Sequence, residues 1–172
     1  PVRKAFPGST IVTFDDDKYF PRKLLSNLCD GAQQHPEMVV GSRGWALKRF
    51  TESGEYHYGE GWVRATSGEN GNHLLTPGGN GCLYPYESLS PIVDDQDLAL
   101  EICPTADDIW FWGALQKNGT KTLCLGMPPH RPISLLGKTG ALSQTNKTKN
   151  DIQFQRALRF FSIQLSDLAG QE

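Results

Sequence analysis

Asp15, Asp16 and Asp17 follow directly on the apolar run Ile11-Val12-Thr13-Phe14. Adjacent like charges repel, and carboxylate oxygens suit hard cations such as Mg²⁺ or Mn²⁺, which are usually bound together with substrate phosphates. If the chain stays extended, strand alternation puts Asp15 and Asp17 on one side and turns Asp16 away. Asp15 and Asp17 are then candidate metal ligands, and Asp16 a candidate substrate contact. The competing reading is a solvated acidic turn ahead of a helix beginning at Pro21. About 60 residues later comes Pro77-Gly78-Gly79-Asn80-Gly81. Glycine lets backbone approach a ligand closely without steric cost, so Gly78, Gly79, Asn80 and Gly81 are candidate substrate-binding residues, with an ordinary turn as the alternative. Asp107-Asp108 can supply a general base, or can simply complement the dipole of a helix N-terminus. His130 offers imidazole to a metal, although a lone histidine is more often a hydrogen-bonded surface residue. His73 is a weaker candidate of the same kind. Trp45, Trp62, Trp110 and Trp112 can stack on a sugar or base, but large aromatics chiefly fill cores.

The elements that must position these groups alternate between strands and helices, which argues for an α/β domain. The run before the triplet reads as a buried strand. Pro21 opens a helix with Leu24, Leu25 and Leu28 on its apolar face, ending near Gln34 and stopped by His35-Pro36. Residues 38–42 read as a strand, and residues 45–50 and 55–58 as a hairpin split by Ser53-Gly54. Residues 59–81 read as one long glycine-rich loop, of the kind that is usually functional or mobile. A short helix is expected over 94–102. A second follows Pro104, capped by Thr105 and ended by Asn118-Gly119, with Ile109, Trp110, Trp112 and Leu115 as its apolar content. Residues 121–125 form a further strand. A last helix starts near Asn150, and Phe154, Leu158, Phe161, Leu165 and Leu168 make its packing face.

The chain has 172 residues and a net charge of −2, enough for one domain with a real core. It has no basic run interleaved with aromatics, so nucleic acid is not an expected partner. No apolar stretch approaches the roughly 18 residues of a spanning helix. Cys29, Cys82, Cys103 and Cys124 are widely spaced and read as small hydrophobes in a reducing compartment rather than as a zinc site. The expected location is the cytoplasm or the periphery of the inner membrane. The chain opens on Pro1 without an initiator Met, and reads as a segment of something longer.

The order of the pieces resembles the catalytic half of a GT-A glycosyltransferase: a strand ending in D-x-D, a glycine-rich segment, an acidic helix start, then a later histidine. Thr13-Phe14-Asp15-Asp16-Asp17-Lys18-Tyr19-Phe20-Pro21, Gly78-Gly79-Asn80-Gly81-Cys82-Leu83-Tyr84-Pro85 and Ala106-Asp107-Asp108-Ile109-Trp110 are similar to motifs of a bacterial group of polysaccharide glycosyltransferases. Asn150-Asp151-Ile152-Gln153 resembles the C-terminal stretch of the same group. The resemblance implies a GT-A, Rossmann-like mixed sheet flanked by helices. It also implies that residues 1–172 are one partial domain, with a C-terminal helix over 150–168 and without the N-terminal nucleotide-binding βαβ portion. It implies sugar transfer from a nucleotide-diphosphate sugar to the hydroxyl of a glycan or other acceptor, with inversion. Asp15, Asp17 and His130 would hold Mn²⁺ or Mg²⁺, and residues 59–75 would close over the donor. Asp107 stands where the wider fold often has Glu, which leaves the base open between Asp107 and Asp108. Two other readings stand beside this one. The first is a non-catalytic carbohydrate-binding or scaffold fragment of the same fold. The second is a phosphatase of the haloacid-dehalogenase type, which expects Thr or Val soon after its second Asp where this chain has Lys18-Tyr19-Phe20.

Overall fold

The computed structural model describes residues 2–47, 58, 61–127 and 146–169. It is a mixed α/β protein. A short helix α1 (Val2–Ala5) leads into strand β1 (Ile11–Thr13), helix α2 (Leu24–Gln34), and strands β2 (Val39–Gly41) and β3 (Trp45–Leu47). Strands β4 (Trp62–Arg64), β5 (Asn70–Gly71), β6 (Leu74–Leu75) and β7 (Cys82–Tyr84) follow, with a 3₁₀ turn at Gly78–Asn80 between the last two. Helices α3 (Gln96–Ile102) and α4 (Asp107–Asn118), strand β8 (Thr122–Cys124), and helices α5 (Asn146–Phe161) and α6 (Leu165–Ala169) complete the order.

The main sheet has five strands in the order β1-β7-β2-β8-β5. β2 and β8 are parallel, and β7 runs antiparallel to both its neighbours, β1 and β2. β5 also runs antiparallel, to β8, but it is the reversal of β7 that builds the site. It brings the start of β7 beside the carboxyl ends of β1 and β2, pairing Cys82 with both Thr13 and Gly41. Alternate side chains go to opposite faces, as a pleated strand requires. Val40 and Leu83 pack with Leu24 and Leu28 of α2 on one face. Val39, Cys82 and Tyr84 pack with Ala114 and Leu115 of α4 on the other. A second sheet, β4-β3-β6, is antiparallel throughout. Its Leu47 and Leu75 join the largest core cluster, where α5 lies on α4.

That helix pair is held by aromatic packing. Phe154 stacks on Trp112 at a centroid distance of 5.3 Å, and both are buried. Gly113 of α4 makes room for the ring of Phe161, which an added Cβ would overlap. Overpacking of this kind costs about 1–3 kcal/mol, against a gain of about 1 kcal/mol when Ala replaces Gly in a helix. Gly113→Ala is therefore expected to lower the unfolding midpoint, and pairing it with Phe161→Leu should recover part of the loss. Thermal unfolding of the two variants checks this.

Several expectations need correction. The expected loop over 59–81 is not one loop in its described part: residues 61–81 carry β4, β5 and β6, and Leu74 and Leu75 are buried. Strands of two or three residues leave no alternation long enough to read. A segment built into two sheets is not free to close over a donor. The strand paired with β3 on its β4 side is Trp62–Arg64, while residues 55–57 of the expected hairpin lie outside the described residues and Tyr58 is in a turn. β1 is an edge strand and only half-buried, and Phe14 is exposed. Leu25 is exposed while Leu24 and Leu28 are buried, because a side chain one position along a helix lies about 100° away. Thr105 does not cap α4: the N-cap is Ala106, with no side-chain bond. The last helix starts at Asn146 and breaks at Ser162, where φ is 57°.

The buried tryptophans explain themselves as core. Trp110 Nε1 donates to the Val93 carbonyl at 3.2 Å and Trp112 Nε1 to the Asn72 carbonyl at 3.2 Å. Among the described residues all four cysteines are free thiols, and three of them are buried. No helix among the described residues is long and apolar enough to cross a membrane.

Candidate active site

The site lies where β1 ends and β7 begins. The Asp15 N–H donates to the Gly79 carbonyl at 3.1 Å, and the Thr13 hydroxyl donates to the Gly78 carbonyl at 2.9 Å. From the β2 side, Ser42 holds the same turn. Its N–H donates to the Gly81 carbonyl at 2.9 Å and its hydroxyl to the Asn80 carbonyl at 2.6 Å. Gly81 has a φ of 97°, a left-handed value that glycine alone adopts at low cost. The glycine run is thus fixed by both neighbouring strands.

Asp15 lies against this turn so closely that a Cβ on Gly79 would overlap its carboxylate. The carboxylate is ion-paired with Lys18. The Lys18 ammonium also reaches the Gly79 carbonyl at 3.4 Å and Asn80 Oδ1 at 3.3 Å. Three oxygens of different origin therefore converge on one cation: a carboxylate, a backbone carbonyl and a side-chain amide. All are hard oxygen donors of the kind that Mg²⁺ and Mn²⁺ take, so the donor set fits such an ion, with the ammonium standing where a cation is favoured.

Asp108 also reaches this turn, from the start of α4. Its Oδ1 accepts the Gly78 N–H at 2.8 Å. It is half-buried in the first turn of α4. Burial pushes its carboxyl up to about 6, helped by the charges of Asp107 and Asp15 and opposed by the Gly78 N–H and Lys18. A carboxylate poised near neutrality suits a general base. Gly78 and Gly79 are adjacent, so one dipeptide touches both acids: Gly78 by its N–H to Asp108, Gly79 by its bare Cα to Asp15. Beneath it, Tyr84 is buried and its phenol is held well above the usual range, first by burial.

The structure divides the remaining candidates. Asp107 is exposed; its Oδ1 accepts the Asp108 N–H at 3.0 Å, and it borders a cleft of about 760 Å³ shared with Thr13, Tyr84, Trp110 and Phe111. Asp16 and Asp17 are exposed in a turn. The chain does not stay extended through the triplet, as Asp readily favours turns, so alternation does not pair Asp17 with Asp15. Asn80 is buried. His130 lies outside the described residues. His73 is away from the site and pairs with Glu69 at 3.3 Å. Among the described residues, no group of three or more His, Cys, Asp or Glu gathers at one point.

No protein-family model, curated protein or solved structure matches this chain. The functional reading therefore rests on the geometry above. That geometry gives a place at the site to residues for which the sequence had offered no role. Lys18 and Thr13 are two of these. Gln153, Asn150 and Tyr58 are the others, and they stand behind Asp108. The Tyr58 N–H donates to Asp151 Oδ1. Its phenol is pushed up to about 12 by burial and then by the charge of Asp108, against a hydrogen bond from Asn150. The sequence held two signals for this layer: the Asn150–Gln153 stretch shared with the family motif, and a polar Gln153 next to the packing face, where a buried polar residue must find partners.

Proposed function

We propose that this chain carries the catalytic centre of a metal-dependent glycosyltransferase of the GT-A type. It would move a sugar from a nucleotide-diphosphate sugar to an acceptor hydroxyl with inversion. The observation that carries the reading is the Gly78-Gly79 dipeptide held between Asp15 and Asp108. Such a displacement needs a group to hold the cation at the leaving diphosphate and a base for the acceptor hydroxyl, and Asp15 and Asp108, each touching one residue of this dipeptide, would supply them. The strand order, with one antiparallel strand inserted between β1 and β2, supports the same fold reading.

In this account Asp15, with the Gly79 carbonyl and Asn80 Oδ1, holds the cation. Bound Mn²⁺ or Mg²⁺ supplies charge neutralisation on the departing diphosphate. Asp108 takes the proton of the acceptor hydroxyl as its oxygen bonds to the anomeric carbon, and the bond from that carbon to the diphosphate oxygen breaks. Asp107, facing the cleft, meets the acceptor. For Asp17 and His130 a part in holding the cation rests on the family resemblance alone, and the exposed Asp16 would meet substrate. The test is release of nucleoside diphosphate from a panel of UDP- and GDP-sugars with Mn²⁺, followed by NMR assignment of the product anomer. An inverted product supports the reading; a retained anomer, or phosphate release from simple esters alone, counts against it.

The Asp15–Lys18 ion pair favours a second reading, in which the site is a metal-free scaffold whose acid is already neutralised. The two readings differ on Lys18. If a divalent cation and the ammonium compete for the same oxygens, Lys18→Met raises Mn²⁺ affinity. Repulsion between unit charges near 4 Å is worth about 1–4 kcal/mol, so a gain of about tenfold or more is expected. Electron paramagnetic resonance titration of free Mn²⁺ reads it directly; a scaffold binds no Mn²⁺ in either form.

A further inference from the structure

Gln153 is 4 % exposed, next in sequence to the core residue Phe154, and its amide is committed on both sides. Oε1 accepts the Thr105 N–H at 2.9 Å. Nε2 donates to the Thr105 hydroxyl at 3.0 Å, to the Lys149 carbonyl at 3.2 Å and to Asn150 Oδ1 at 3.3 Å. A buried amide without partners costs several kcal/mol, so such a group is retained where its bonds hold something in place. What it holds is the residue two before α4. The N-cap of α4 makes no side-chain bond of its own, and the helix start that carries Asp107 and Asp108 is fastened from outside, by α5. Asn150, one turn before Gln153 on the same face, joins Gln153 to the Tyr58 phenol.

We propose that Gln153 is the positioning residue of this site: through Thr105 it fixes the first turn of α4, so that Asp108 reaches the Gly78 N–H, with Asn150 and Tyr58 completing the brace. The inference rests on the reading of Asp108 as the base. It gives the Asn150–Gln153 run a task at the active site rather than in packing alone.

The test is amide hydrogen exchange by NMR on the intact chain, comparing wild type, Gln153→Met and Asp108→Ala, with the Mn²⁺- and UDP- or GDP-dependent rise in unfolding midpoint measured on the same samples. Gln153→Met keeps the volume and removes the hydrogen bonds. The Gly78 amide is expected to exchange about tenfold faster or more in both variants, while the Val40 amide in the central strand keeps its protection. A role in packing alone would slow or speed both amides together. Unchanged Gly78 exchange in Gln153→Met, alongside faster exchange in Asp108→Ala, overturns the positioning role and leaves the glycosyltransferase reading intact. Absence of any nucleotide-dependent shift in wild type counts against that reading instead, while the exchange data still decide the brace. If Gln153→Met does not fold, Asn150→Ala decides: it removes one arm of the brace at the half-buried start of the run, and selective loss of Gly78 protection is again the expected result.

Discussion

Asp108→Asn should abolish sugar transfer while making the protein more stable at neutral pH. The two effects have one cause. Asp108 ionises near 6 in the folded chain, held up first by burial and then by Asp107 and Asp15, whereas an unfolded aspartate ionises near about 4. The fold therefore binds the Asp108 proton more tightly than the unfolded chain does. Below about pH 4 both states are protonated and there is no penalty. Between about 4 and 6 the unfolded state ionises more readily, and stability is lost as pH rises. Above about 6 the penalty is complete, at most about 3 kcal/mol for a shift of about two units. Asparagine keeps an oxygen to accept the Gly78 N–H and carries no charge. The variant should thus gain about 1–3 kcal/mol over wild type near pH 7.5 and nothing near pH 4, read from urea unfolding at both values. Loss of a positioned general base lowers turnover by about 10²–10⁴-fold, and wild-type turnover should rise with pH through about 6. A variant less stable at both pH values, or one still active, would mean that Asp108 is structural.

Gly79→Ala should cost about 10²-fold or more in Mn²⁺-dependent nucleotide affinity. The methyl group would occupy the space of the Asp15 carboxylate. Asp15 cannot easily retreat, because its own N–H is bonded to the Gly79 carbonyl and its backbone continues from the paired strand β1. The side chain must leave the oxygens of Gly79 and Asn80, which dismantles the cation cradle. The folding cost should be smaller, about 1–3 kcal/mol, as for other overpacked sites. Gly78→Ala is the matched comparison. Its methyl would meet Thr13 Oγ1 at 3.2 Å and Asp108 Oδ1 at 3.6 Å, contacts that a shift of a few tenths of an ångström relieves. Titration of UDP and GDP with Mn²⁺ into the two variants should therefore separate neighbouring glycines, with Gly78→Ala much nearer wild type. Equal effects would mean that the turn, and not the Asp15 contact, is what matters.

The sequence was most legible where one residue type answered one physical demand. The packing face of Phe154, Leu158 and Phe161, the αL glycine ending α4, the acids in its first turn and the buried strand over Val39–Gly41 all follow from periodicity and capping, whereas Leu165 and Leu168 lie on α6 beyond the break at Ser162. It was least legible where pairing is remote. β4, β5 and β6 are too short to show a period, and the reversal of β7 is a property of the sheet, not of Cys82–Tyr84. That reversal is what delivers Gly79 to Asp15, so the two motifs could be recognised singly but their contact could not. Lys18 illustrates the same limit: beside three aspartates it reads as a charged turn residue, and only the fold brings the Asn80 amide to it. Gln153 stood in a quoted motif, but its task was hidden, since its partner Thr105 is 48 residues away and a cap looked sufficient for Thr105 itself.

The most direct test of the central claim is thermal unfolding with UDP or GDP, each with Mn²⁺ or with EDTA, on this chain and on the longest form of the protein that its gene encodes. A ligand that binds only the native state raises the midpoint by mass action. The account predicts a rise with one nucleotide that requires Mn²⁺, disappears in Asp15→Asn and survives in Asp108→Asn, because the first acid holds the donor and the second acts on the acceptor. A midpoint indifferent to nucleotide and metal in both forms, or a rise that survives Asp15→Asn, would contradict it.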